Sequence, residues 1–85
     1  MSVDEKQVES EVIRLIGEQL GVEVAQITST TSIVNDLGAD SLDFAELMIK
    51  FEETFDIDIN EEKAQGITTV GEVVSHVVES IKSKS

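Results

Sequence analysis

The chain has no cysteine, no proline, no tryptophan and no tyrosine, one histidine, and 6 basic residues against 18 acidic ones among 85. Without cysteine there are no disulfides, no thiolate metal ligands and no cysteine nucleophile. A lone His76 leaves no cluster to hold zinc. The shortage of bases gives a formal charge of −12, which repels the phosphates of nucleic acids and anionic membranes. No apolar run exceeds three residues, so no segment is expected to enter a membrane. The start, Met1-Ser2-Val3-Asp4-Glu5, lacks the basic and apolar segments of a secretory leader, and an Arg- and Ser-rich transit segment is also missing. The expectation is a free-standing cytoplasmic domain with basic partners.

What is present suffices for folding. A hydrophobic content of 40% supports a packed core, and 85 residues allow one small domain over residues 1–85. A chain of this size buries roughly 60–70% of its unfolded surface. Val8, Val12, Leu15 and Ile16 recur at helical spacing and predict a first helix from about Val3 to Leu20, with Ser2 and Glu5 as a capping box and Gly21 ending it. Residues 22–39 lack that period. They predict an ordered loop with room for a short helical turn, held by Val22, Ile27, Ile33, Val34 and Leu37. Asp40 is a good N-cap for a second helix to about Phe55, Asp43 suits its positive first turn, and Gly38 allows a sharp bend before it. Asn60 predicts a short helix to about Gln65, ended by Gly66. Thr69 and Glu72 box the start of a last helix with an apolar stripe of Val70, Val73, Val74, Val77, Val78 and Ile81. His76 falls off the stripe and is expected to be exposed, while Lys82 and Lys84 suit the helix end. The fold class is all-α: a small bundle of three main helices plus one short helix, with a long loop between the first and second.

The acids cluster. Asp36, Asp40, Asp43, Glu46, Glu52, Glu53, Asp56, Asp58, Glu61 and Glu62 face a single Lys50, which places −9 of the −12 in 27 residues. On a helical wheel at about 100° per residue, Phe44, Leu47, Met48, Phe51 and Phe55 form the core face. Asp43, Glu46, Lys50, Glu53 and Thr54 lie opposite. Leu42, Ala45 and Ile49 form a flank edged by carboxylates, which suits either a docking surface for a basic, partly apolar partner or packing beneath the long loop.

Local catalytic chemistry fails on spacing. Asp56-Ile57-Asp58-Ile59-Asn60 opens like a calcium loop, but Glu61 stands where glycine is required and Ile67 where the bidentate glutamate is required. Gly38-Ala39-Asp40-Ser41-Leu42 has no glycine after its serine, so it is no nucleophile elbow. Ser41 has no histidine nearby in sequence, and a domain this small has little room for a cleft between paired carboxylates. The chain is expected not to be an enzyme. Ser41 is left as a hydroxyl at the first turn of an acidic helix, which on its own terms suits a plain N-cap serine.

Asp36-Leu37-Gly38-Ala39-Asp40-Ser41-Leu42-Asp43 resembles the attachment motif of acyl carrier proteins. The resemblance runs through nearly the whole chain: Gly17-Glu18-Gln19-Leu20-Gly21-Val22 is similar to the end of their first helix, Phe51-Glu52-Glu53-Thr54-Phe55 to the end of the second, and Ile67-Thr68-Thr69-Val70 to the beginning of the fourth. It implies that Ser41 is esterified by the 4′-phosphopantetheine arm of coenzyme A, through a carrier-protein synthase that uses Mg²⁺. It also implies that the arm carries growing fatty acyl chains as thioesters to fatty-acid synthesis enzymes with basic docking patches. By position, Asp36, Asp40, Leu42, Asp43, Ala45, Glu46, Ile49, Glu52 and Glu53 match the recognition surface, in a protein that works as a monomer. Met48, Phe51, Ile59, Ile67 and Val73 are the expected lining of the acyl shelter. Asn60 stands where a proline is common in such proteins, Phe44 where a smaller polar residue is frequent, and Gly66 is inserted in a stretch often more charged. Carriers for polyketide, aminoacyl or lipid-A-type pathways share the motif, and an unmodified acidic interaction module is the alternative of another class.

Overall fold

The computed structural model describes residues 4–84, ordered as α1 (Glu5–Leu20), a 3₁₀ turn (Val24–Gln26), α2 (Ser41–Phe55), α3 (Glu61–Gln65) and α4 (Val70–Lys84). No strand forms among the described residues, so the all-α bundle with its long first connection is observed. The first helix differs in its start. Asp4 is the cap, its Oδ1 accepting from Lys6 N at 3.1 Å and Gln7 N at 3.3 Å. An ionised carboxylate in that position answers both the free donors and the positive helix end. The expected cap at Ser2, like the start at Val3, lies outside the described residues. Gly21 closes α1 at φ 67°, a conformation that costs a glycine little.

The core is one apolar cluster drawn from α1, α2, α4 and the connecting loops. Val12, Ile16, Ile33, Leu47, Phe51, Val70, Val73 and Val77 are sealed from solvent at its centre. Helix α4 behaves as its stripe predicts, with Val74 and Ile81 half-buried at the margin. Helix α2 presents Leu47, Met48 and Phe51 inward, with Phe44 and Phe55 half-buried beside them. His76 is half-buried and not exposed as expected, because the broad face of α4 extends past its valine stripe. Helix α3 is the least packed. Of its described side chains only Ala64 is half-buried and none is fully buried.

The long loop is ordered by hydrogen bonds to the start of α4. Ile33 N donates to Thr68 O at 3.0 Å, Val70 N to Thr31 O at 3.0 Å, and Gly71 N to Ser29 O at 2.8 Å, with Ser32 and Thr69 forming an isolated antiparallel bridge. Loop carbonyls thus satisfy first-turn donors that α4 cannot satisfy itself. The predicted Thr69–Glu72 box completes that end: Thr69 N donates to Glu72 Oε1 at 3.1 Å and Glu72 N to Thr69 Oγ1 at 3.3 Å. Ile27 and Ile33 anchor the loop as expected. Val34 does not, for it stands 50% exposed.

Candidate functional site

The loop before Ser41 supplies the local bonds that position it. Asp36 Oδ2 accepts from Ser32 N at 2.7 Å, and Ser32 O accepts from Asp36 N at 3.0 Å and Leu37 N at 3.2 Å, winding residues 32–37 into a tight turn. Gly38, at φ 72°, reverses the chain, and Ala39 is buried with its N–H on Ile33 O at 3.3 Å. Asp40 then caps α2, its Oδ1 accepting from Asp43 N at 2.8 Å. This settles the standing of Ser41. The cap is Asp40, so Ser41 occupies the first helical position with an exposed side chain that makes no hydrogen bond to a described residue. It is not an N-cap serine.

Ser41 opens onto a groove of about 980 Å³ between α2 and α3, predominantly apolar in its lining. Met48, Ile59 and Ile67 line it as expected, whereas Phe51 and Val73 are sealed in the core behind it. Their helical phase put them on the inner face, and the groove begins one side chain further out. Sequence reasoning missed Phe44, Ala64 and Val34 as lining residues.

Leu42 is 68% exposed and Ile49 54%, with Ala45 exposed between them. The flank therefore does not pack under the loop. Glu46 and Glu53 are exposed beside it. Three of the acids matched to the recognition surface also hold the fold: Asp36 locks the Ser32 turn, Glu46 accepts from Gln19 Nε2 on α1, and Glu52 Oε2 accepts from Ile59 N at 2.9 Å. Gln19 is 27 residues from Glu46 and gave no signal in any local pattern, whereas the Ser32–Asp36 turn spans only four residues. No group of acids or His76 forms a metal cluster among the described residues, and no described helix is long and apolar enough to cross a membrane.

Away from this face, Glu72 collects the N–H and hydroxyl of Thr68 and of Thr69. These donors, the Thr68 hydroxyl foremost, hold its carboxyl below the usual glutamate value. Arg14 forks between Glu11 at 3.0 Å and Glu18 at 3.1 Å, and its hydrogen bond lowers the Glu11 carboxyl in the same way.

Residues 10–77 match the family model described as a phosphopantetheine attachment site. The chain belongs to the acyl carrier protein family. An acyl carrier protein of Porphyromonas gingivalis is 43% identical over 76 residues, covering 89% of this chain and 97% of that one. Among solved structures, the acyl carrier protein of Enterococcus faecalis superposes with a TM-score of 0.79 at 31% identity, covering 92% of this chain and 99% of that one. That of Thermotoga maritima gives 0.82 at 21% identity, covering 95% and 94%, and speaks for the fold alone. The chain is thus a carrier of acyl groups on phosphopantetheine, for which fatty-acid synthesis is the usual role in this family.

Proposed function

We propose that Ser41 bears the arm and that residues 1–85 act as one carrier domain without catalytic activity of their own, shuttling fatty acyl chains between enzymes. The observation that carries this reading is the placement of Ser41: exposed, uncommitted, at the first position of α2 and at the mouth of the groove. The residues fit the group. The N–H groups of Ser41 and Leu42 are left free by a cap that takes only Asp43 N, so a phosphodiester on Ser41 meets donors and a positive helix end. Asp40 and Asp43 oppose that phosphate, so their charge serves the modifying synthase and later partners. When bound, the arm supplies a thiol that holds an acyl chain as a thioester.

This chain's own residues then do three things. The loop locked by Asp36 fixes where Ser41 projects. Met48, Ile59 and Ile67 offer an apolar wall that keeps a chain out of water. Leu42, Ala45 and Ile49 offer burial to a partner, and Asp36, Asp40, Asp43, Glu46, Glu52 and Glu53 steer basic patches toward them. Mg²⁺ enters only through the synthase, and the working form is a cytoplasmic monomer.

The test is intact mass after incubation with coenzyme A, Mg²⁺ and a carrier-protein synthase. One phosphopantetheine should be added to the wild type and none to Ser41→Ala. An adduct that survives the substitution, or no adduct on the wild type, sinks the assignment.

A further inference from the structure

Four large apolar side chains stand exposed among the described residues, and three of them gather at Ser41. Val34 and Ile49 line the groove onto which Ser41 opens, and Leu42 is the next residue along α2. Only Val24 lies apart, beside Gly17 on α1. Leu42 and Ile49 belong to the docking flank of α2, whereas Val34 comes from the loop. The loop presents it firmly. Ile33 before it is sealed in the core, its N–H on Thr68 O at 3.0 Å and its carbonyl accepting from Ala39 N at 3.3 Å. Val34 O accepts from Gly38 N at 3.0 Å, and Asn35 N donates to Ser32 Oγ at 3.1 Å. A β-branched side chain on so fixed a backbone has little freedom left to lose when something covers it.

What covers it follows from the chemistry at Ser41. An enzyme that esterifies this hydroxyl has to bring its reacting atoms within bonding distance of the Ser41 oxygen, so its surface closes over the exposed side chains at the mouth of the groove. A stable complex covers about 800 Å² on each partner, roughly 20–30 residues, which is more than the flank of α2 presents. Residues 15–49 carry six acids and no base, so the surface that meets them is basic.

We propose that Val34 is a docking residue that joins Leu42 in an apolar collar on either side of Ser41, covered by an apolar rim on the basic enzyme that modifies the serine. The collar rests on the reading of Ser41 as the attachment residue, and it extends the recognition surface from α2 onto the loop. Its contact is with the protein partner and not with the acyl cargo, although Val34 also borders the groove.

The test is the steady-state kinetics of a carrier-protein synthase with coenzyme A, which brings no acyl chain and so leaves the sheltering role of the groove idle. Val34→Ser should raise KM for this protein about fivefold with kcat unchanged, the scale expected for losing the burial of half a valine side chain. Val24→Ser removes a valine of matching exposure, 51% against 50%, from the same connection and should leave both constants unchanged. Val34→Ile keeps the apolar contact and should match the wild type. All three variants should melt with the wild type, because neither valine is packed. The collar is overturned if Val34→Ser leaves KM unchanged, if Val24→Ser raises it as much, or if Val34→Ile is as impaired as Val34→Ser. A lowered melting midpoint for Val34→Ser also overturns it, since the side chain would then be packed and not presented. A wild type that gains no phosphopantetheine by intact mass overturns the attachment reading and the collar together, whereas a modified wild type with an indifferent Val34→Ser overturns the collar alone.

Discussion

Gly17 sets two physical rules against each other, and the structure decides between them. It lies inside α1, where replacing glycine by alanine ordinarily stabilises by about 1 kcal/mol. A Cβ on Gly17, however, would stand 2.9 Å from Val22 O and 3.2 Å from Val24 Cγ2. The first contact is with a backbone carbonyl that cannot rotate away, in the chain that folds back from the end of the same helix. Val22 N donates to Gly17 O at 3.1 Å, so moving that segment also disturbs its hydrogen bond. Overpacking of this kind costs about 1–3 kcal/mol, which outweighs the propensity gain. Gly17→Ala should therefore be destabilised by about 1 kcal/mol, lowering the thermal midpoint by roughly 4–8 °C. Gly66→Ala is the matched control. Its Cβ would lie an ordinary 3.6 Å from Lys63 O, and its φ of −83° suits alanine, so no loss is expected. Urea and thermal unfolding followed by circular dichroism measure both. A Gly17→Ala protein as stable as the wild type would refute the close-approach argument.

The remaining predictions concern charge and docking. Because hydrogen bonds from Thr68 and Thr69 hold the folded Glu72 carboxyl below its ordinary value of 4.5, its stabilising contribution is full above that value and is lost as pH falls through the lowered one. The stability gap between the wild type and Glu72→Gln should accordingly be widest near neutrality and close in acid, as pH-dependent urea unfolding will register. Added salt should raise the neutral-pH melting midpoint, since −9 of charge lies within residues 36–62 and Arg14 spends itself on Glu11 and Glu18 outside that stretch. A midpoint indifferent to salt argues against self-repulsion. Leu42→Ser and Ile49→Ser should slow modification by a carrier-protein synthase while changing unfolding midpoints little, because both side chains are exposed. A large loss of stability would mean that they are packed and not presented.

Local rules made most of the fold legible. Asp40, Asn60 and the Thr69–Glu72 box cap as their spacing requires, and the phases of α2 and α4 separate core from surface because those helices each pack one face. Asp4 caps α1 without having been singled out by spacing, because several residues in that acidic start suit the same free donors in sequence. Val34 was misassigned as an anchor because an aperiodic loop has no phase, and apolar character alone does not say which side faces in. The dual engagement of Asp36, Glu46 and Glu52 was beyond local reading in another way. The Glu46 bond depends on where the closed bundle brings Gln19, and the bonds of Asp36 and Glu52 on how the local turns bring Ser32 and Ile59 round.

The stitching of the long loop to the head of α4 gives this protein an order of events during its own synthesis. The turn that aims Ser41 hangs from Thr68 O through Ile33, and the helix that starts just after Thr68 has its first N–H groups taken by Thr31 and Ser29. A nascent chain that has emerged only through α2 carries Ser41 on an untethered strand, whatever helix it has formed. The stitch is complete only when Thr68, Val70 and Gly71 are all present, so the last quarter of the chain helps to hold the residue at its middle.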